Sequence, residues 1–535
     1  MQIKSFDIKR NRKRTVILFI LCVIVVIVCC SLFVLLYASN KTRPRAWQPN
    51  EVKTAFWAWN NEAVDQEEID AAIKKANAST IFLRTGQFDF EKEKVAKIRA
   101  TTGKFPRGIE IHLVYNATPS LLTQFEKIDS QVLVQEIIQT FKKDCERASK
   151  DGANIAGLQL DFDVPTRLLP RYGELLKNIR QSLSSNTKLS ITGSPTWMDS
   201  TELSKTLEAV DFWTPQFYGS KIPDNINEQI PITSTEYVVQ QTARARSLGK
   251  PFYAGLPAYG YTILYSQEGK RLELRGDLNP LRVATDSNFE HLECKPFSKT
   301  KAKSSQITSE WRCLYRARYD GSIDGLNFRA DDRLILDIPT ASTLRETARA
   351  VREEAGPGLL GICVFRLPKS EDRTNLTLDQ IASALSDRQT NDYTEVRLSK
   401  DKEENLSDNR LVITAENRGT TGSRLGDGAF SLTIKFKPGS LSGIGALDGF
   451  YSADFLCADE TQSKKSAARP CSVRRANLLR LKTRAWMPDS EAKAVLIFDQ
   501  SAPTSANITT AMRADDGRTI NQEQTISLPK GGERK

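Results

Sequence analysis

The sequence predicts an α/β fold: a (β/α)8 TIM barrel with an insertion after its seventh strand, followed by a small all-β sandwich and preceded by a single N-terminal transmembrane helix. Three observations carry that expectation. Between Lys53 and Leu385, short β-rich runs alternate with amphipathic helical stretches, the pattern of repeated βα units on a parallel sheet, and no Gly-rich phosphate loop marks a nucleotide-binding alternative. After residue 410, alternating strands are separated by Gly, Pro, Asn and Asp. Thr15 to Tyr37 form an uncharged apolar run long enough to cross a bilayer as one helix.

The chain opens on a basic tail, residues 1–14, that contains "KRNRKR". Six basic residues precede the apolar run of residues 15–37 and three follow it closely, which places the N-terminus in the cytoplasm and the bulk in the periplasm or outside the cell. A cleaved export signal is the alternative reading of the same stretch, although no small-residue cleavage site follows it. Residues 38–52 read as a linker. The barrel, residues 53–385, then runs through "TAFWAW", "STIFLRT", "GIEIHLVYN", "IAGLQLDFD", "KLSITGS", "VDFWTPQFY", "PFYAGLPAYG" and "LLGICVFRLP" as its eight strands. Helix candidates between them include Gln66 to Asn77, Gln131 to Lys150, Leu169 to Leu183, Thr235 to Ser247 and Ser342 to Glu354. The charged stretch from about Tyr261 to Asp332 is too long for a crossover and reads as an insertion over the C-terminal face, where barrel enzymes keep their sites. Residues 386–409 are polar without an apolar period and read as a linker; residues 410–530 form the sandwich.

Charge narrows the partners. The formal net charge of the 535-residue chain is +11, but residues 1–45 hold nine Lys or Arg and one acid, so the remainder carries only +3 and nucleic acid is not expected. Oligomeric state leaves no mark. Among the cysteines, Cys294 and Cys313 flank a polar insert and Cys457 and Cys471 flank a loop, two pairs that fit local disulfides in an oxidising compartment, while Cys145 and Cys363 sit in apolar patterns. No CxxC or Cys/His cluster exists, so a structural zinc site is not expected. The two histidines, His112 and His291, adjoin no nucleophile motif, which leaves carboxylates and aromatics as the candidates for chemistry.

The fourth strand supplies them. In "GLQLDFDVP", Leu158, Leu160 and Phe162 alternate with Gln159, Asp161 and Asp163. In a parallel barrel the apolar set faces the helices and the polar set the lumen. Two carboxylates in a poorly solvated lumen repel each other, so one is protonated near neutral pH and can act as a general acid. Salt-bridged or water-facing strand residues are the plainer reading. Trp57, Trp59, Trp197, Tyr218 and Tyr259 lie at strand ends, where their rings stack on sugars or simply pack the core.

These strands resemble the signature of family 18 glycoside hydrolases, the chitinases and endo-β-N-acetylglucosaminidases, whose fourth strand reads Asp-x-x-Asp-x-Asp-x-Glu; the register here is Ala156, Gln159, Asp161 and Asp163. "VDFWTPQFY", with Gln216 and Tyr218, and "YAGLPAYGY", with Gly255, Pro257, Tyr259 and Gly260, are similar to that family's sixth and seventh strands. A closer resemblance, in "FWAW", "QLDFD" and "LSITGSPTW", is to a bacterial domain family of unknown function, number 3142. The first resemblance implies a glycan substrate or ligand with N-acetylated sugars, whose acetamido group serves as nucleophile, so that no metal or other cofactor is needed. Asp163 would then be the proton donor, Asp161 would orient the substrate, Tyr218 would bind the acetamido carbonyl, and Gln216 and Gln159 would give polar support. Departures accompany it: Asp163 stands where the family has Glu, shorter by roughly 1.5 Å of reach, and Phe365 stands where the family has Trp. A glycan-binding or envelope-scaffolding protein that has lost the chemistry is the competing expectation. Glu110 on the third strand is the reserve carboxylate.

Overall fold

The computed structural model describes residues 45–59, 64–100, 103–297, 310–369, 372–400, 409–438, 440–458, 468–500 and 502–527. The basic tail and the apolar run of residues 15–37 lie outside these. Among the described residues no helix is long and apolar enough to cross a membrane.

Eight parallel strands close into a barrel: β1 (Lys53–Ala58), β2 (Ala78–Glu91), β3 (Glu110–Ala117), β4 (Asn154–Asp161), β5 (Lys188–Gly193), β6 (Phe212–Pro215), β7 (Phe252–Pro257) and β8 (Leu359–Phe365). Pairing runs in sequence order around the barrel and returns from β8 to β1, where Trp57 stands beside Phe365. Local chemistry sets the intervening helices. The helix Ser130–Asp151 buries Leu133, Val134, Ile137, Ile138 and Phe141 on one face, as 3.6-residue periodicity requires, and Gly152 in left-handed conformation (φ 74°) stops it just before β4. Asp65, Ser234 and Thr340 cap the helices that start at residues 66, 235 and 341 by accepting backbone N–H groups.

The expected division of β4 is present. Leu158, Leu160 and Phe162 are fully buried in the shell between barrel and helices, while Gln159 and Asp161 are buried on the opposite face. The lumen is a packed core. Its lower layer is aromatic, with Phe82 5.1 Å from His112 and 5.5 Å from Tyr253, and Phe212 5.3 Å from His112. Gly255 is required at its place on β7, because a Cβ there would come within 3.0 Å of the Trp57 ring and 2.7 Å of a backbone oxygen.

The insertion after β7 runs past the expected Asp332. Its five-stranded antiparallel sheet ends with Arg333–Ile338, which pairs with both Tyr261–Tyr265 and Trp311–Ala317. Another correction concerns residues 386–409, expected as a linker: Thr394–Lys400 is a strand that pairs with Arg410–Asn417 and buries Val396 and Leu398 in the sandwich core. The sandwich itself is a four-stranded and a six-stranded antiparallel sheet around one core, in which Trp486 stacks on Phe430 at 4.1 Å and donates to Thr394 Oγ1. Disulfides join Cys294 to Cys313 and Cys457 to Cys471, and Cys145 and Cys363 are free thiols.

Candidate functional site

The C-terminal mouth of the barrel collects polar groups from four neighbouring strands. Asp161 closes β4 opposite Asn116 of β3, and its Oδ1 accepts from Thr192 Oγ1 of β5 at 2.6 Å. Arg84 of β2 donates from Nε to Asn116 Oδ1 at 2.9 Å and lays its guanidinium 4.6 Å over the Trp59 ring. Two residues beyond Asp161, past the buried Phe162, Asp163 is open to solvent.

Their ionisation is coupled. Burial first, and the charge of Asp163 second, push the Asp161 carboxyl up to about 7, against the Thr192 hydrogen bond and the attraction of Arg84. Surrounding protein also raises Asp163 above the ordinary carboxylate range, although its side chain reaches water. The pair therefore keeps one proton near neutral pH, which belongs to both carboxyls.

Aromatic rings wall the mouth. Phe365, at the end of β8, lies 5.3 Å from Tyr259, 5.8 Å from Trp59 and 5.9 Å from Tyr218, and Tyr218 is 5.9 Å from Tyr259. Burial raises the Tyr218 phenol well above its usual range, with Tyr259 and Asp161 acting in the same direction, so it stays protonated and can donate a hydrogen bond. Gln216 is half-buried just after β6, its backbone bridged to Gly255.

Other expected site residues lie elsewhere. Trp57 is 2% exposed inside the lumen, edge-on to Phe365, with Nε1 donating to Gln159 Oε1 at 3.0 Å; it offers no free face to a sugar. Gln159, 0% exposed, also donates to Ser190 Oγ and Thr214 Oγ1, so its capacity is spent on holding the barrel together beneath the mouth. Trp197 is 0% exposed on the helix side, against Tyr172, its Nε1 donating to Val164 O. Glu110 begins β3 beside Asn154 and contacts His112, about 20 Å below the mouth at 3.3 Å per residue.

Sequence reasoning missed Arg84, Asn116 and Thr192, and it missed the grip of the insertion on the loop after β6. That loop closes on itself through Gly219 N to Ile232 O and Thr233 Oγ1 to Phe217 O, the residues flanking Tyr218. From the insertion, Glu310 accepts from Ile232 N and Thr233 N, and Arg312 donates to Glu228 O while pairing with Asp337. Among the described residues no group of three or more His, Cys, Asp and Glu side chains is arranged to hold a metal ion.

Residues 118–298, from the end of β3 into the insertion, match the family model of a domain of unknown function, DUF3142. No curated protein matches the chain by sequence. Among solved structures, the chain is similar to the spore cortex-lytic enzyme SleL of Bacillus cereus, with 14% identity over 63% of this chain and 74% of that one and a TM-score of 0.40. It is similar to a chitinase from Chromobacterium violaceum, with 13% identity, 63% and 99% coverage and a TM-score of 0.40. The chitinase ChiW of a Paenibacillus species aligns with 89% of this chain and 43% of its own, at 11% identity and a TM-score of 0.43.

Proposed function

We propose that the protein is a membrane-anchored glycoside hydrolase whose site is the mouth of the barrel, acting on an envelope or extracellular glycan that carries N-acetylated sugars. The observation that carries this reading is the Asp161/Asp163 pair, two carboxyls with raised proton affinity at the end of one barrel strand, beside a wall of aromatic rings. Asp163, the solvent-open member, gives a proton to the glycosidic oxygen as the C–O bond breaks. The substrate's own acetamido oxygen attacks the anomeric carbon, and water later opens that ring and returns the proton to Asp163. Asp161, held by Thr192, carries the pair's negative charge while Asp163 holds the shared proton, and that carboxylate stabilises the positive charge that develops on the acetamido nitrogen. Tyr218 donates to the acetamido oxygen, and Trp59, Tyr259 and Phe365 supply the apolar surface for the ring.

The single-methylene shortening at Asp163 favours a second reading, a glycan-binding or scaffolding protein with the cleft but not the chemistry. Asp163→Asn and Asp163→Glu separate the two. If Asp163 is the acid, the amide loses about 10²- to 10⁴-fold in glycan cleavage and keeps binding, and the glutamate retains or raises activity. Binding without cleavage in all three proteins supports the second reading. The anchor is tested separately: protease added outside the cytoplasmic membrane should digest the region after Asn40 and spare the N-terminal tail, whereas protection of the large domains would refute the orientation.

A further inference from the structure

The seam between the insertion and the C-terminal sandwich encloses a small polar cavity of about 160 Å³, lined by His291 and Cys294 from the insertion and by Arg424, Gly426, Asp427 and Arg513 from the sandwich. Its charges do not balance. Arg424 N donates to Arg513 O next to the Ser423–Ala514 bridge, so Arg424 and Arg513 oppose each other across an antiparallel pair and share a face. Like charges in that relation repel, and a fold with no use for them gains by replacing one. Carboxylates close to His291 are already engaged: Asp427 by Arg484 at 3.0 Å and Glu293 by Lys295 at 2.9 Å. The Arg513 guanidinium has one hydrogen bond among the described residues, to the backbone oxygen of Asp427 at 3.3 Å. The half-buried guanidinium of Arg424 has no hydrogen bond or ion pair among the described residues, only the Trp311 ring 6.0 Å away.

We propose that this cavity is a binding site for a tetrahedral oxyanion, a phosphate or sulfate group, free or carried on a sugar. Two guanidiniums line the one cavity, and their forked N–H donors are the groups that tetrahedral oxygens accept. The two guanidiniums repel a cation, and the polar lining does not suit an apolar ligand. Burial, with the charge of Arg513 next, holds the Arg424 guanidinium below its usual proton affinity, a stress that a bound anion removes. Because the walls come from both the insertion and the sandwich, an occupant also ties the unit that carries Glu310 and Arg312 to the C-terminal domain.

Calorimetric titration of the full-length protein in detergent tests the site, with ionic strength held constant by sodium chloride. Inorganic phosphate and sulfate should bind saturably, with a dissociation constant of about 1 mM or tighter. Arg424→Gln and Arg513→Gln should each weaken binding by roughly tenfold, with the melting temperature in chloride no lower than that of the wild type, and Arg474→Gln, on an exposed turn of the sandwich, should bind as the wild type does. N-acetylglucosamine 6-phosphate distinguishes the sources: binding at least tenfold tighter than phosphate identifies a sugar-borne group, and equal or weaker binding a free anion. If Arg424→Gln does not fold, the exposed Arg513→Gln carries the test. Absence of saturable heat up to about 20 mM of either anion, or an affinity that neither substitution changes, overturns the proposal.

Discussion

Replacing Asp161 by Asn should stabilise the protein, and by an amount that depends on pH in a defined direction. The Asp161 carboxyl is held at about 7 against an ordinary 3.8. As pH rises, the unfolded chain therefore loses this proton first, and the folded state must keep it or accept a buried charge. Stability contributed by the group is full below the unfolded value, falls through the interval and levels off above about pH 7; at 1.36 kcal/mol per pH unit the total is about 4 kcal/mol. Asn keeps the oxygen that accepts from Thr192 and has no charge to bury. Asp161→Asn should thus match the wild type near pH 4, gain steadily above it and be more stable by up to about 4 kcal/mol at pH 8.5. Urea unfolding followed by tryptophan fluorescence reports on the barrel through Trp57, Trp59, Trp197 and Trp213. A difference that stays flat with pH, or Asp161→Asn less stable at alkaline pH, refutes the argument that the site stores a disfavoured charge.

Three further outcomes follow from the placement of side chains. Trp197→Ala should cost about 3–5 kcal/mol in stability, since the ring is fully buried, and leave glycan affinity per folded molecule unchanged, as isothermal titration would show. Gln159→Leu strands the Trp57 indole N–H, whose buried donor loses its partner, and should cost about 1–3 kcal/mol in urea unfolding. Opening the Cys457–Cys471 bridge, which closes 14 residues, should cost about 3 kcal/mol, and alkylation with mass spectrometry before reduction should find neither thiol free.

The barrel was legible because each strand carries its own signal. Alternation in "GLQLDFD" and capping residues such as Asp65 and Gly152 are local features, and closure follows from repetition. Thr394–Lys400 escaped notice because only Val396 and Leu398 interrupt a run of charges, so its strand character comes from the partner Arg410–Asn417. Side-chain direction was the harder problem. Trp57 and Trp197 have the composition of a sugar platform, but Trp57 turns its indole into the lumen onto Gln159 and Gly255 and Trp197 turns outward onto Tyr172, facts fixed by packing partners distant in sequence. Depth within a strand was readable: Glu110 is the first residue of β3 and so belongs to the bottom of the barrel. Arg84 left a signal as well, a lone arginine in the apolar run "STIFLRT", whose purpose emerges only when Asn116, Trp59 and Asp161 converge on it.

The central claim is that the Asp161/Asp163 pair holds a proton for transfer to a glycan, and the pH dependence of reducing-end release from N-acetylglucosamine-containing oligosaccharides tests it most directly. The wild type should release reducing ends at a rate that declines as pH rises through about 7, where the pair gives up its shared proton, and Asp163→Asn should be slower by about 10²- to 10⁴-fold and lack that decline. No release by the wild type at any pH, or release by Asp163→Asn with an unchanged profile, would contradict it.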